Sequence, residues 1–395
     1  MKIAIVYDAI YPYVLGGGEK RNWEVARRLA ARGHEVYLLG MQVWKGAPGL
    51  CREKVFLVGV CPDMALFTAS GKRSFFQPFY FAFHLYRFLR RHSFDLIDCS
   101  NFPYLSCLAA KAATVGRRTP LVITWYEVRG LRGWLDYAGV SGVVAGFFER
   151  LIAWLTPFNI AISALTRSKA VQILGLKHVQ VIPCGVDCRR LAGIVSVARE
   201  DQILYVGRLV RHKRVDMLLE VLRRVAPDFP RLKLTIIGMG YQQPKLQALA
   251  AEYGLTEKVL FMGGLDEEIM TREFGRSRIF ILPSEQEGFG IVLVEAMAAG
   301  VPVIALDAER SAARELIEHE VNGLLVKNVD EMEAALRRTL TDRSLAQRLV
   351  QAGRITARKY DWDTQVVPDV EVYYRAVGGA EGLKHDCSGP RERRR

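Results

Sequence analysis

The chain has 395 residues, 50% of them hydrophobic and 25% charged, with a net charge of +13. Its length predicts about two domains with ample core, and its composition is that of an ordinary globular protein. The basic balance favours acidic partners such as nucleotide phosphates or anionic lipid head groups. It is spread along the chain, apart from Arg391 to Arg395, which argues against nucleic acid.

Lys2–Tyr7 reads as a short buried strand, and the chain enters it with no signal peptide before it. Glu19–Arg32 reads as a helix, with Trp23, Val25, Ala26, Leu29 and Ala30 on one face and Arg27, Arg28 and Arg32 on the other, ending at Gly33. Strand candidates follow at His34–Leu39, Asp95–Cys99, Leu121–Trp125, Asn159–Ser163 and Val179–Pro183. The pattern breaks around Gly185–Glu200 and then restarts. Strands are expected at Ile203–Val206, Leu232–Ile237, Val259–Phe261, Ile279–Leu282 and Val303–Ala305, with helices at Val215–Val225 and Pro244–Tyr253 between them.

Strands alternating with helices predict an α/β fold of two doubly wound parallel sheets facing across a cleft. The expected units are residues 1–190, 199–358, a final helix at 359–376 and a basic, disordered tail at 377–395. The longest apolar stretch, Val140–Leu155, is broken by Glu149 and Arg150 and falls short of a membrane span. The cysteines lie at 51, 61, 99, 107, 184, 188 and 387 without a CxxC pair. They read as reduced thiols of a cytosolic protein. Cys184 and Cys188 lack a matching Cys/His pair, so no metal is expected.

The most informative segment is Ser284–Pro302. A buried strand runs into a glycine-containing turn and then a short helix. Backbone N–H groups of Gly288, Phe289 and Gly290 would face whatever lies over the helix start, a ready anion site. Glu287 precedes that helix and Glu295 lies within it, so both carboxylates flank a phosphate-sized spot. Carboxylates repel a phosphate, and hydrogen bonding to sugar hydroxyls beside a diphosphate is a better use for them.

Arg208 and Lys213 follow the first strand of the second half, where ligands of doubly wound sheets sit. Fixed cations there suit a diphosphate, with a solvated basic loop as the alternative. Gly16-Gly17-Gly18 opens the first helix but does not form GxGxxG, which disfavours a nicotinamide enzyme. Tyr126 and Glu127 end a strand and face the proposed cleft. Glu149 lies on a helix and Ser163 and Thr166 end a strand, where a cap or a core role is the plain reading. Asp361-Trp362-Asp363 matches a metal-binding triplet by letters only, because it opens the last helix where Asp is a common N-terminal residue. Residues 72–92 mix Lys72, Arg73, Arg87, Arg90 and Arg91 with many aromatics. They suit an anionic membrane surface, or else pack inward.

With these residues in place, the chain resembles the retaining glycosyltransferases of family 4, which have the GT-B architecture. The resemblance covers roughly residues 1–376. It rests on Gly17-Gly18-Glu19, Arg32-Gly33-His34-Glu35-Val36, Val181-Ile182-Pro183-Cys184-Gly185-Val186-Asp187, Val206-Gly207-Arg208 with Lys213, and Glu287-Gly288-Phe289-Gly290 with Glu295. The resemblance implies a UDP- or GDP-sugar bound mainly by the second domain. Arg208 and Lys213 would hold the diphosphate, and Glu287 the donor sugar beside the Phe289, Gly290 and Ile291 amides. Glu295 would hold the ribose, and Leu260–Leu265 would lie near the base, with Leu265 on the donor.

The Gly17-Gly18 loop would close over the donor, and the final helix would cross back to the first domain. Glu287, Lys213, Arg208 and Tyr126 form the candidate catalytic set, with Tyr126 and Glu127 on the acceptor side. Many relatives place His where this chain has Tyr126, and Gly where it has Arg214. Tyrosine donates a hydrogen bond but is a poor base near neutral pH.

The expected activity is metal-independent and cofactor-free transfer of a hexose to a saccharide or lipid-linked acceptor, at a cytoplasmic site that includes the inner membrane face. A sugar-nucleotide epimerase of the same architecture and a degenerate sugar-nucleotide-binding protein are the alternatives.

Overall fold

The computed structural model describes residues 1–65, 74, 76–193, 200–264 and 267–379. Leu265, Lys72, Arg73 and most of the proposed tail lie outside these residues.

The first sheet contains β1 (Lys2–Val6), β2 (Glu35–Gln42), β3 (Gly49–Arg52), β4 (Val55–Pro62), β5 (Leu96–Ser100), β6 (Leu121–Trp125), β7 (Asn159–Ala161) and β8 (Gln180–Val181). Their order is β3-β4-β2-β1-β5-β6-β7-β8, parallel throughout except for β3 at the edge. The β3–β4 hairpin was not foreseen. Its turn residues, Glu53 and Lys54, carry positive φ of 48° and 66°. Such turns are usually read from Asn-Gly or Asp-Gly, so the signal was hidden.

The second sheet contains β9 (Gln202–Val206), β10 (Lys233–Ile237), β11 (Val259–Met262), β12 (Ile279–Leu282), β14 (Val303–Leu306) and β16 (Leu324–Val326). All its strands are parallel, in the order β11-β10-β9-β12-β14-β16. Two short segments, β13 (Gln286–Glu287) and β15 (Arg310–Ser311), pair separately beside the cleft. Central strands such as β5, β6, β9, β12 and β14 are buried along their whole length. Helices cover both sheet faces, which is why β12 and β14 read as continuous apolar runs and why the polar Asp98 and Ser100 of β5 are buried.

In each sheet the strand order reverses beside the first strand, at β1 and at β9. Ligand crevices form beyond the carboxyl ends of strands at such switch points. At this position the first turn of helix Gly17–Ala31 meets the second domain, where Lys20 pairs with Glu295 and Glu267.

The C-terminal segment belongs to the first core. A π-helical turn, Trp362–Val366, leads into helix Val367–Gly378. Trp362, Val367, Val370 and Tyr374 pack with Ile3, Ile5, Trp23 and Leu29. The Tyr374 hydroxyl donates to buried Asp98, which also accepts from Thr124 at 2.8 Å. Burial pushes the Asp98 carboxyl up. Asp361 caps this segment, accepting from the Asp363 and Thr364 amides at 3.0 Å, while Asp363 pairs with Arg28 at 2.7 Å. Both acids of the Asp-Trp-Asp triplet are thus engaged structurally. Arg28, expected on the exposed face, is instead buried against Glu24 and Asp363. The returning segment supplies the carboxylate that makes this possible.

Candidate functional site

The cleft is lined by loops that follow β1, β6, β9, β10 and β12. After β9 the chain must turn sharply under the β10 loop. Gly238 permits this: its φ is +141°, and a Cβ there would stand 2.0 Å from the Gly207 carbonyl oxygen. The short 3-10 turn Arg211–Lys213 follows and presents its cations at the strand end.

Lys213 reaches β13, where its ammonium lies 2.5 Å from a Glu287 carboxylate oxygen. Both side chains are about nine-tenths buried. The Arg208 side chain is exposed in the same loop, and its backbone carbonyl accepts from the Tyr205 hydroxyl at 3.1 Å. No ion pair among the described residues engages its guanidinium. His212 lies between them. Burial, with Lys213 and Arg208 adding to it, holds its imidazole down at about 4, well below the ordinary 6.5.

Helix Ile291–Ala298 starts at Gly290 with no side-chain cap. Its first N–H groups have no intrahelical acceptor, which leaves a partial positive charge facing the cleft. The Phe289 ring is buried against Tyr360, with centroids 5.4 Å apart, so only its backbone can serve the cleft. Gly288 lets the two domains touch, because a Cβ there would stand 2.5 Å from the Tyr126 carbonyl oxygen.

Glu295 lies inside this helix with 3% exposure, and its partner comes from the first domain. Lys20 places its ammonium 2.6 Å from Glu295 and 2.7 Å from Glu267. Glu267 also pairs with Arg190 at 3.3 Å. Burial alone would lower the Lys20 ammonium, but the two carboxylates outweigh it and the pKa rises. Lys20 and its bridge escaped the sequence reading. A cation in the first turn of a helix works against the helix dipole, and that local conflict was the available signal.

On the acceptor side, the Tyr126 hydroxyl donates to Asn22 at 2.7 Å and its ring stacks on Tyr7 at 6.2 Å. Burial raises its pKa far above that of a free phenol, only partly opposed by Arg21. The structure therefore makes Tyr126 a fixed donor and an unsuitable base. Asn101 accepts the Tyr126 amide at 3.0 Å and donates to the Glu127 carbonyl at 3.1 Å. The Glu127 carboxylate accepts from Gln286 of β13 and from Arg129 at 3.0 Å. Glu315 of the second domain accepts the Ala164 amide at 2.8 Å and the Leu165 amide, at the start of helix Ala164–Leu174. Ser163 caps that same helix by accepting the Thr166 amide at 3.0 Å.

The geometry thus brings Gly18, Tyr126, Glu127, Arg208, Lys213, Glu287 to Ile291 and Glu295 to one cleft. It adds Lys20, Asn22, Asn101 and Gln286. Leu15 and Met239 approach Gly264 from the two domains, within 3.4 Å of where its Cβ would lie. Among the described residues, no group of three or more His, Cys, Asp and Glu side chains is placed to hold a metal.

Comparison with known proteins agrees with this architecture. Residues 15–190 match the family described as Glycosyltransferase Family 4, and residues 194–356 match Glycosyl transferases group 1. An uncharacterised glycosyltransferase of Methanocaldococcus jannaschii is 32% identical over 195 residues, about half the length of each chain. The phosphatidyl-myo-inositol mannosyltransferase of Mycobacterium tuberculosis is 29% identical over 93% of this chain and 96% of its own. Among solved structures, a sucrose-phosphate synthase from Thermosynechococcus elongatus superposes with a TM-score of 0.79 at 20% identity. That match covers 96% of this chain and 99% of that one, and it supports the fold. With both halves matched and the cleft between them assembled as described, the chain belongs to the group 1, family 4-like glycosyltransferases of GT-B architecture, and by class it is a hexosyltransferase.

Proposed function

We propose that this enzyme moves a hexose from a UDP- or GDP-sugar to a hydroxyl of a saccharide or lipid-linked acceptor, with retention of anomeric configuration and without a metal. The observation that carries this reading is the Lys213–Glu287 pair beside the uncapped helix start at Gly290. It sets a cation, a carboxylate and free amides around one small volume.

In this reading Arg208, Lys213 and the first amides of helix Ile291–Ala298 hold the diphosphate. Glu287 orients the sugar hydroxyls, and Glu295, held by Lys20, takes the ribose. The bond between the anomeric carbon and the diphosphate oxygen breaks as the acceptor oxygen bonds to that carbon. The acceptor proton passes to the departing diphosphate on the same face. The cations stabilise charge that develops on the leaving group, and domain contact at Gly288 and Tyr126 excludes water. Tyr126 positions the first helix and does not exchange the proton. Helix Gln77–Arg91 turns Phe81, Leu85 and Leu89 inward and Phe79, Phe83, Arg87 and Arg90 outward. That supports contact with an anionic membrane, and with it a lipid-linked acceptor.

A melting-shift screen without metal against UDP-, GDP- and ADP-sugars, followed by acceptor assays with the donor that binds, tests the reading. Transfer with a retained anomer is the expected result. Interconversion of the sugar nucleotide without any acceptor would replace it with the epimerase reading.

A further inference from the structure

The longest apolar run of the chain folds into helix Gly142–Ile152, joined through the turn Gly139–Ser141 to helix Gly130–Ala138. This hairpin is patterned against the usual rule. The carboxylate of Glu149 points inward and is fully buried, accepting from the Arg129 and Gly130 amides at 3.0 and 2.8 Å and from the Tyr104 hydroxyl at 3.0 Å. Trp134, Ile152 and Ala153 pack inward with it, while a second set of apolar side chains points outward. Val140, Val143, Val144, Phe147, Leu151 and Trp154 form one stripe at helical spacing, with Val140 86%, Phe147 63% and Trp154 73% exposed. Leu131 and Leu135 of the first helix widen the stripe, and Leu131 lies against Gly146. A contiguous face of this kind marks a docking surface and not a stray exposed residue.

Its charges select the occupant. The exposed charges on the hairpin are Arg132, Arg150 and Asp136, and Asp136 is paired with Arg310 at 3.4 Å. The helical layer on the same side of the sheet also carries the outward Phe79 and Phe83 with Arg87, Arg90 and Arg91. A two-fold contact between copies of this chain would bring the same arginine-bearing patch to both sides of the interface, with no unpaired acidic counterpart supplied by the described hairpin residues of either. No helix among the described residues is long and apolar enough to cross a membrane. A lipid surface accepts the apolar stripe, and anionic head groups satisfy the arginines around it.

We propose that the outer face of the Gly130–Trp154 hairpin lies in the surface of an anionic bilayer, so that the acceptor is an amphiphile presented from that surface. The hairpin starts directly beyond Tyr126-Glu127, and its first amides are pinned by Glu149, so docking sets the acceptor side of the cleft against the head groups. The docking itself stands on the hairpin alone. The statement about the acceptor rests on the glycosyl-transfer reading.

The test is flotation of the full chain with vesicles of phosphatidylcholine, alone or with 30 mol% phosphatidylglycerol, roughly the anionic content that gives a membrane-like surface potential. The intact chain is expected to float with the anionic vesicles, and the double variant Phe147→Glu/Trp154→Glu to partition at least about tenfold more weakly. A milder variant, Val143→Ser/Val144→Ser, guards against misfolding, and an unchanged melting shift with the donor nucleotide verifies the site. Equal flotation of the intact chain and the variants overturns the proposal. So does a dimer in light scattering that the same substitutions dissolve, since the face would then be a protein interface. A donor-induced melting shift with no flotation leaves the transferase reading standing and removes only the docking.

Discussion

Lys20 and Glu295 stand 2.6 Å apart although 275 residues separate them. One belongs to the first helix of the first domain, the other to the helix that begins at the proposed diphosphate site. A carboxylate with 3% exposure is costly to bury unless paired, and Lys20 is the partner that this contact supplies. Lys20→Met is therefore expected to weaken binding of the donor nucleoside diphosphate by roughly tenfold, the scale of one lost charge-assisted contact. Lys20→Arg should recover part of it. Calorimetry with UDP and GDP measures both, and wild-type affinity in Lys20→Met would remove Lys20 from the site.

Lys213 and Glu287 form the second pair, each about nine-tenths buried. Lys213→Ala is expected to lower kcat by at least about a hundredfold, the range for loss of one preorganised charge at a leaving group. Glu287→Gln keeps the shape but loses the charge, and should also abolish transfer. Both variants should still unfold cooperatively, with stability reduced by about 1–3 kcal/mol for the partner left unpaired. Normal turnover in Lys213→Ala would sink the assignment.

Tyr126 donates to Asn22, and burial holds its proton firmly. Tyr126→Phe should consequently retain transfer within about tenfold of the intact enzyme, since one neutral hydrogen bond is lost. Its pH–rate profile should keep the same limbs. A missing basic limb in the variant would mean that the phenol titrates during the reaction.

His212 is held neutral, with its pKa lowered to about 4 by burial and by Lys213 and Arg208. A base whose folded pKa is depressed binds its proton more readily in the unfolded chain. The neutral ring therefore favours folding above the ordinary value of 6.5, and this contribution is lost as pH falls from there towards about 4. His212→Asn should flatten the decline of Tm across that window. A nucleoside diphosphate bound beside Lys213 should raise the imidazole pKa, readable by NMR titration. An unchanged pKa on binding would move the diphosphate away from this loop.

Glu149 closes the start of helix Gly130–Ala138 with three accepted hydrogen bonds. Glu149→Ala leaves two amides and the Tyr104 O–H without an acceptor, although Tyr104 still accepts from Trp134, at a cost of about 3 kcal/mol or more. Glu149→Gln keeps one acceptor oxygen and should lose less. Urea unfolding of the two variants checks the order.

What the sequence by itself determined is local. The apolar runs of β1, β6, β9 and β12 announce strands buried on both faces, because parallel strands covered by helices leave little room for a polar side. Gly288 to Ile291 announces a turn into a helix, because backbone that approaches a partner or a phosphate has no room for a side chain. Only the tertiary structure decided the partners: that Lys20 holds Glu295, that Tyr126 donates a hydrogen bond to Asn22, and that Arg28 is buried by Asp363 of the returning segment. It also decided that Val140, Val143, Val144, Phe147, Leu151 and Trp154 face outward while Glu149 faces in. Periodicity says which residues share a face of one element. Which face meets the core, and which charge meets which across a cleft, depends on how distant elements are placed, and no local pattern carries that information.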